Sequence, residues 1–182
     1  AFAADVTVWE EAAEFQHRWE KGSLPHFTSC CPAWVKFCEY FYPQWLPRLS
    51  TVKSPQQILG TLLKSEYGQQ YGLRPKDVFS VAIMPCTAKK FECLRQKEAS
   101  GLQAVDAVLT VREAAALFQR QGVAVPALGP AEFDAPFGVA SGGGRIFGAR
   151  GGVSEAVVRS LWHQEAGGDL PPEALQWRQR ED

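Results

Sequence analysis

Residues 78–84 read VFSVAIM, an almost unbroken apolar run of strand length bracketed by Pro75 and Pro85. Such a run suits a parallel strand covered on both faces rather than a half-exposed antiparallel one. A second strand is expected at VDAVLT, residues 105–110, with Thr110 and Glu113 capping a helix that ends at Gly122. Upstream, Thr7 and Glu10 have the spacing of a capping box, and Val8, Ala12, Phe15 and Trp19 form one apolar stripe that runs out at Gly22. HFTSC is a short strand-like run, and Pro32 opens a second helix. That helix carries Trp34, Phe37, Cys38 and Phe41 on one stripe and stops at Pro43. A third helix starts at Ser54, Pro55 and Gln57 and ends near Gly72, and a last one runs from about Ser154 to Ala166. Alternating strands and helices predict an α/β fold, a mostly parallel sheet flanked by helices, in one domain. Residues 167–182 form a polar tail.

The 182 residues are long enough to bury a real core, and 46% of them are hydrophobic. With 19 Lys and Arg against 20 Asp and Glu, no basic surface recommends nucleic acid. No apolar run approaches the ~20 residues of a membrane span. The chain opens on AFAAD, with neither an initiator Met nor a signal-peptide pattern, so an upstream segment is expected. Five cysteines, Cys30, Cys31, Cys38, Cys86 and Cys93, are an odd number in a chain of this length. They read as reduced thiols in a cytoplasmic setting, some free to bind metal.

The spacing of the thiols narrows their roles. Cys30 and Cys31 are adjacent in TSCCP, and neighbours on an extended chain point to opposite faces. Cys86 in MPCTAKK follows the C-terminal end of the apolar strand, where open α/β sheets gather ligands. Strand-end cysteines of this kind can converge on one metal cluster or serve as small core residues. Cys38, on an apolar helical stripe, reads as core, and so does Cys93. The three histidines, His17, His26 and His163, share no context and read as surface or core residues.

FTSCCPAW together with IMPCTAKKFE resembles the domain of FeFe hydrogenases that holds their H-cluster. The likeness continues through LSTVKSPQQ, VDAVLTVRE and IFGARGGVSEAVVR, and so spans nearly the whole chain. It implies about one lobe plus part of the second lobe of a two-lobed catalytic domain. The reaction it implies is reversible H2 oxidation and proton reduction. The implied cofactors are a 4Fe-4S cluster and a binuclear iron site, with Cys31 and Cys86 each binding one iron of the cube. Cys30 is then the thiol that exchanges protons with the binuclear site, which accounts for two neighbouring cysteines with separate duties. A proton path is implied to continue from Cys30 along Glu14, Ser50 and Glu11 in that order. Lys89 is implied to hydrogen-bond a cyanide on the distal iron. Met84, Phe147 and Gly148 are implied to line the cofactor pocket. The glycines of SGGGRIFGARGG fit neither phosphate-loop pattern and suit close backbone approach to a cofactor.

The family's third motif, ExMxCxxGC, with two further thiolates, does not occur in residues 1–182. The chain is therefore expected to be an internal piece of a longer enzyme and, by itself, to be inactive. Ala33, Arg150 and Ser154 stand where Gly, Thr and Met are usual. Ferredoxin or NAD(P)-linked modules and maturation proteins are the implied partners. Two other readings remain: a cluster-binding or assembly protein related to hydrogenases (the Nar1 group), and a metal-free interaction module.

Overall fold

A computed structural model describes residues 2–95 and 101–175. Helix α1 (Phe2–Glu20) is followed by α2 (Pro32–Phe41), α3 (Pro55–Leu62) and the short α4 (Gly68–Gln70), joined to α3 by a single π-helical turn. Strand β1 (Val81–Met84) leads into α5 (Ala88–Arg95), β2 (Ala107–Thr110) and α6 (Val111–Arg120). A short α7 (Gly142–Ile146) and a long α8 (Gly152–Ala166) complete the order. Among the described residues the sheet is the parallel pair β1–β2, registered from Val81 opposite Ala107 to Met84 opposite Thr110. The expected parallel pairing is present, with α5 as its crossover.

Several elements depart from the sequence expectation, each for a physical reason. Strand β1 takes only the last four residues of the apolar run, and Val81 and Ile83 remain 50% and 51% exposed. The run has one covered face here, not two. Helix α1 begins at Phe2, so Thr7 is inside it and no capping box forms there; its hydroxyl donates to the Ala3 carbonyl at 3.0 Å. Buried Ala3 and Ala4 extend the apolar stripe and carry the helix back past Thr7. At the far end of that stripe Trp19 is exposed, as are Phe37 and Phe41 on α2, so those stripes are only partly buried. HFTSC makes one parallel bridge, Phe27 to Leu49, rather than a strand. The capping box at Thr110 and Glu113 does form, each side chain bonding the other's backbone N–H.

Two cores hold the chain. Val8 and Ala12 of α1 pack on Ala156 and Val157 of α8, with Phe15, Ile146 and Phe147 around them. Cys93, Val105 and Val108 form the second beneath the sheet, flanked by Ala82 and Met84. Glycine permits two close approaches. A Cβ on Gly152 would lie 1.7 Å from the Ile146 carbonyl oxygen, and one on Gly60 would lie 2.4 Å from that of Ala104. The Gly60 contact lets α3 lie against the segment entering β2. Among the described residues no helix is long and apolar enough to cross a membrane.

The obstacle at Gly60 is backbone, which cannot swing aside. Alanine there gains about 1 kcal/mol of helix propensity but overpacks at a cost of about 1–3 kcal/mol or more. Gly60→Ala is therefore expected to lower the urea midpoint, while Gly148→Ala, whose Cβ meets nothing within 4 Å, leaves it unchanged. Equal midpoints for the two variants would contradict this packing.

Candidate functional site

Both cysteine motifs stand at the start of a helix. Cys31 is the residue before α2, its carbonyl accepting from Val35 N–H at 3.1 Å, and Pro32 is preset for the first turn. Cys86 follows β1 and Pro85, two residues before α5. Both thiols are exposed, beside helix N-termini whose free N–H groups favour negative charge.

Lys89 joins the two motifs. Its Nζ donates to the Cys30 carbonyl oxygen at 2.8 Å, on the peptide that links the paired cysteines. The same ammonium pairs with Glu92 Oε2 at 3.1 Å, and the lysine side chain is only 14% exposed. Glu92 is buried and also accepts from Ser54 Oγ at 2.8 Å and Gln56 Nε2 at 3.3 Å. Ser54 thus stands at the N-cap of α3 as its position predicts, but its hydroxyl serves Glu92 instead of capping the helix.

Cys30 is half-buried and its thiol is pushed up to about 11. Burial is the main cause; the Lys89 ammonium opposes it, and negative charge on Glu11 and Cys31 adds to it. Glu11 is fully buried on α1 and is itself raised, chiefly by burial, against the lowering effect of its contact with His26 and of the nearby Ser50 hydroxyl. Glu14, one turn on, accepts from Ser50 Oγ at 3.0 Å and from Thr51 N–H at 2.9 Å, and pairs with Arg18. Burial pushes Glu14 up too, but the bonds from Thr51, Ser50 and Arg18 outweigh it and leave it below the usual carboxylate range. Glu11, Ser50 and Glu14 are therefore in one place. Of the two carboxylates, Glu11 is the fully buried one and the one whose charge acts on Cys30, whereas Glu14 is partly exposed.

The expected pocket residues do not share one location. Met84 is partly buried at the end of β1 against the Cys93 core. Phe147 packs on the α1–α8 core, and Gly148 is exposed in open space. Cys38 and Cys93 are both buried, as expected of core residues. Sequence reasoning missed His26, whose Nε2 lies 3.1 Å from Glu11 Oε2. No pattern in LPHF marks it, because the contact arises only when the chain after α1 folds back along the helix.

The donor set suits iron–sulfur ligation in kind: two open thiols on segments held together by Lys89. In number it is half of a four-thiolate set. Among the described residues no group of three or more His, Cys, Asp or Glu side chains is placed to hold a metal ion. Exposure also orders the reactivity of the thiols. At about pH 8, limiting iodoacetamide should alkylate Cys31 and Cys86 first, with Cys30 slower by about tenfold or more because little of it is thiolate. Cys38 and Cys93 should react only on unfolding, as read by peptide mass spectrometry. Labelling of Cys38 before Cys31 would contradict this arrangement.

The family model described as "Iron only hydrogenase large subunit, C-terminal domain" matches residues 1–181. Iron hydrogenase 1 of Clostridium pasteurianum is 50% identical over 161 residues, covering 87% of this chain and 28% of that protein. The cytosolic Fe-S cluster assembly factor narfl of Xenopus tropicalis is 32% identical over 170 residues, 87% of this chain and 36% of its own. Among solved structures, an apo FeFe-hydrogenase from Chlamydomonas reinhardtii matches with a TM-score of 0.83 and 39% identity over 99% of this chain and 46% of that one. The chain spans less than half the length of each of these relatives. Its fold is that of part of an FeFe-hydrogenase catalytic domain. On these grounds the chain belongs to the iron-only hydrogenase family, within the C-terminal domain of its large subunit.

Proposed function

We propose that this domain works within a longer protein that interconverts H2 with protons and electrons, and that Cys31 and Cys86 hold one side of its 4Fe-4S cluster. The observation that carries this reading is the division of labour at residues 30 and 31. An open thiol suited to ligation is followed inward by a half-buried thiol that keeps its proton, and that second thiol is backed by the buried carboxylate of Glu11. Cluster binding alone needs only the first of these.

The binuclear iron site, when bound, supplies the redox chemistry in which protons and electrons combine. This chain's residues handle the proton and the position. Cys30 takes up and releases a proton through its Sγ. Glu11 exchanges that proton inward, and Ser50 Oγ, which both donates and accepts, connects it to Glu14 at the rim. Lys89, which fixes the Cys30 carbonyl, also meets an anionic ligand of the iron site on this reading. The further cluster ligands come from outside residues 1–182. Met84, Phe147 and Gly148 face the cofactor once that remainder is in place. Electrons arrive through ferredoxin or an NAD(P)-linked partner, and maturation proteins install the binuclear site. Five unpaired cysteines fit a reducing, cytoplasmic setting. The relative in cluster assembly supports a second reading, in which the same two thiols bind a cluster with no H2 chemistry.

H2 turnover by the matured natural protein separates the two readings. Cys30→Ala is expected to lower the rate by about 100-fold or more with iron content unchanged. An iron-loaded parent protein that neither makes nor consumes H2 would leave the assembly reading in its place.

A further inference from the structure

The carboxylate of Glu11 and the imidazole of His26 form a pair that is 0% and 4% exposed, joined by one contact of 3.1 Å between Oε2 and Nε2. Each partner has a second polar atom, Glu11 Oε1 and His26 Nδ1, that is buried and has no hydrogen-bond partner. A pair built only for stability would satisfy both, since buried polar atoms without partners are rare and call for an explanation. Here the two unpartnered atoms are the two ends of a donor–acceptor unit. Imidazole suits such a unit, because a proton taken at one ring nitrogen can be released from the other.

The surroundings give the unit a direction. Glu11 lies at the inner end, where its charge acts on Cys30. The His26 ring lines a cleft of about 510 Å³ together with Phe15, Phe27, Thr28, Cys31 and Ser154. Phe15 meets the ring edge-on, with centroids 5.8 Å apart at 75°, and so holds its plane. The ionisable groups around the pair are Glu14 on the same helix, Cys30, on which Glu11 acts, and Cys31, which lines the cleft with His26. Helix α8 presents Ser154 and Val157 to the cleft, neither of them ionisable.

We propose that His26 relays protons on a second branch of the path, between the cleft beside Cys31 and Glu11, without passing through Ser50 or Glu14. In the inward step, as ring motion opens the buried Nδ1 to the cleft, a hydronium there gives up a proton to Nδ1, forming an N–H bond and leaving neutral water. The Nε2–H bond breaks and that proton forms an O–H bond at Glu11 Oε2. One proton enters, one leaves, and no electron moves; tautomer exchange of the ring restores the starting state. What the protons are used for rests on the hydrogenase reading above. The shared proton of the pair does not.

The test uses the natural full-length protein. In infrared difference spectra the protonated-carboxyl band of Glu11 is identified by its loss in Glu11→Gln. Removing the imidazole removes a group that favours the carboxylate, so in His26→Phe the band is expected to persist to higher pH than in the parent. An unchanged pH dependence overturns the pair, and with it the relay. For H2 turnover, Ser50→Ala is expected to keep a residual rate. Ser50→Ala with His26→Phe is expected to lose about tenfold or more of it, and a double variant as active as Ser50→Ala overturns the branch. In the same Ser50→Ala background, His26→Gln keeps a hydrogen bond to Glu11 but cannot pass a proton, so it is expected to lose the residual rate as His26→Phe does; a rate equal to that of Ser50→Ala alone would show that His26 only holds Glu11 and would overturn the relay. A parent protein without H2 turnover overturns the hydrogenase reading and the branch together, while the infrared shift still decides the pair.

Discussion

The Lys89 ammonium is the contact on which the site depends. It sits between the Cys30 carbonyl and the buried Glu92 carboxylate, and Glu92 is held in turn by Ser54 and Gln56 at the head of α3. One cation therefore ties the paired-cysteine segment, α3 and α5 together. Breaking a buried pair of this kind by removing one partner costs about 3–5 kcal/mol, because the remaining charge stays buried. The cation–π contact of Lys36 over Phe91, 4.3 Å from the ring centroid, adds a second tie between α2 and α5. With these ties in place, two cysteine motifs far apart in sequence open at neighbouring helix N-termini.

On the proposed reading, the same arrangement separates holding a metal from moving a proton. Exposure leaves Cys31 and Cys86 open to ligation, whereas burial keeps Cys30 and Glu11 protonated over a wider pH range than in water. Two neighbouring thiols acquire different chemistry from their surroundings, although their covalent structure is the same. Glu14, bonded by Thr51, Ser50 and Arg18, stays charged at the rim, so proton affinity rises from the surface inward. The wall of the cleft that His26 lines also carries Ser154, where the resemblance to the family would put the larger, less polar Met.

Much of this was legible in the sequence, and the rest was not for identifiable reasons. The parallel strand pair followed from the apolar runs, and the cap of α6 from Thr110 and Glu113, because both signals are local. The start of α1 was not legible from Thr7 and Glu10, since tertiary burial of Ala3 and Ala4 overrode a plausible cap. The paired cysteines and the MPC motif pointed to metal because their residue types are specific. Which of Lys89 and Lys90 turns inward could not be read from a KK pair; Glu92, one turn along α5, decides it. Which of Glu11 and Glu14 is the more buried was not legible, because spacing of three places both on one helix face without saying which end of that face is buried. His26 was invisible because its meaning lies wholly in a tertiary contact.

The most direct measurement is iron stoichiometry with Mössbauer spectroscopy on the natural full-length protein, comparing the parent with Cys31→Ala and Cys86→Ala. If Lys89 brings the two motifs to one cluster, each single variant loses the same cubane signal, about four irons per chain, and the double variant loses no more than either. Retention of the full cubane signal in either single variant, or losses that add in the double, would place the two thiols at different sites and contradict the account.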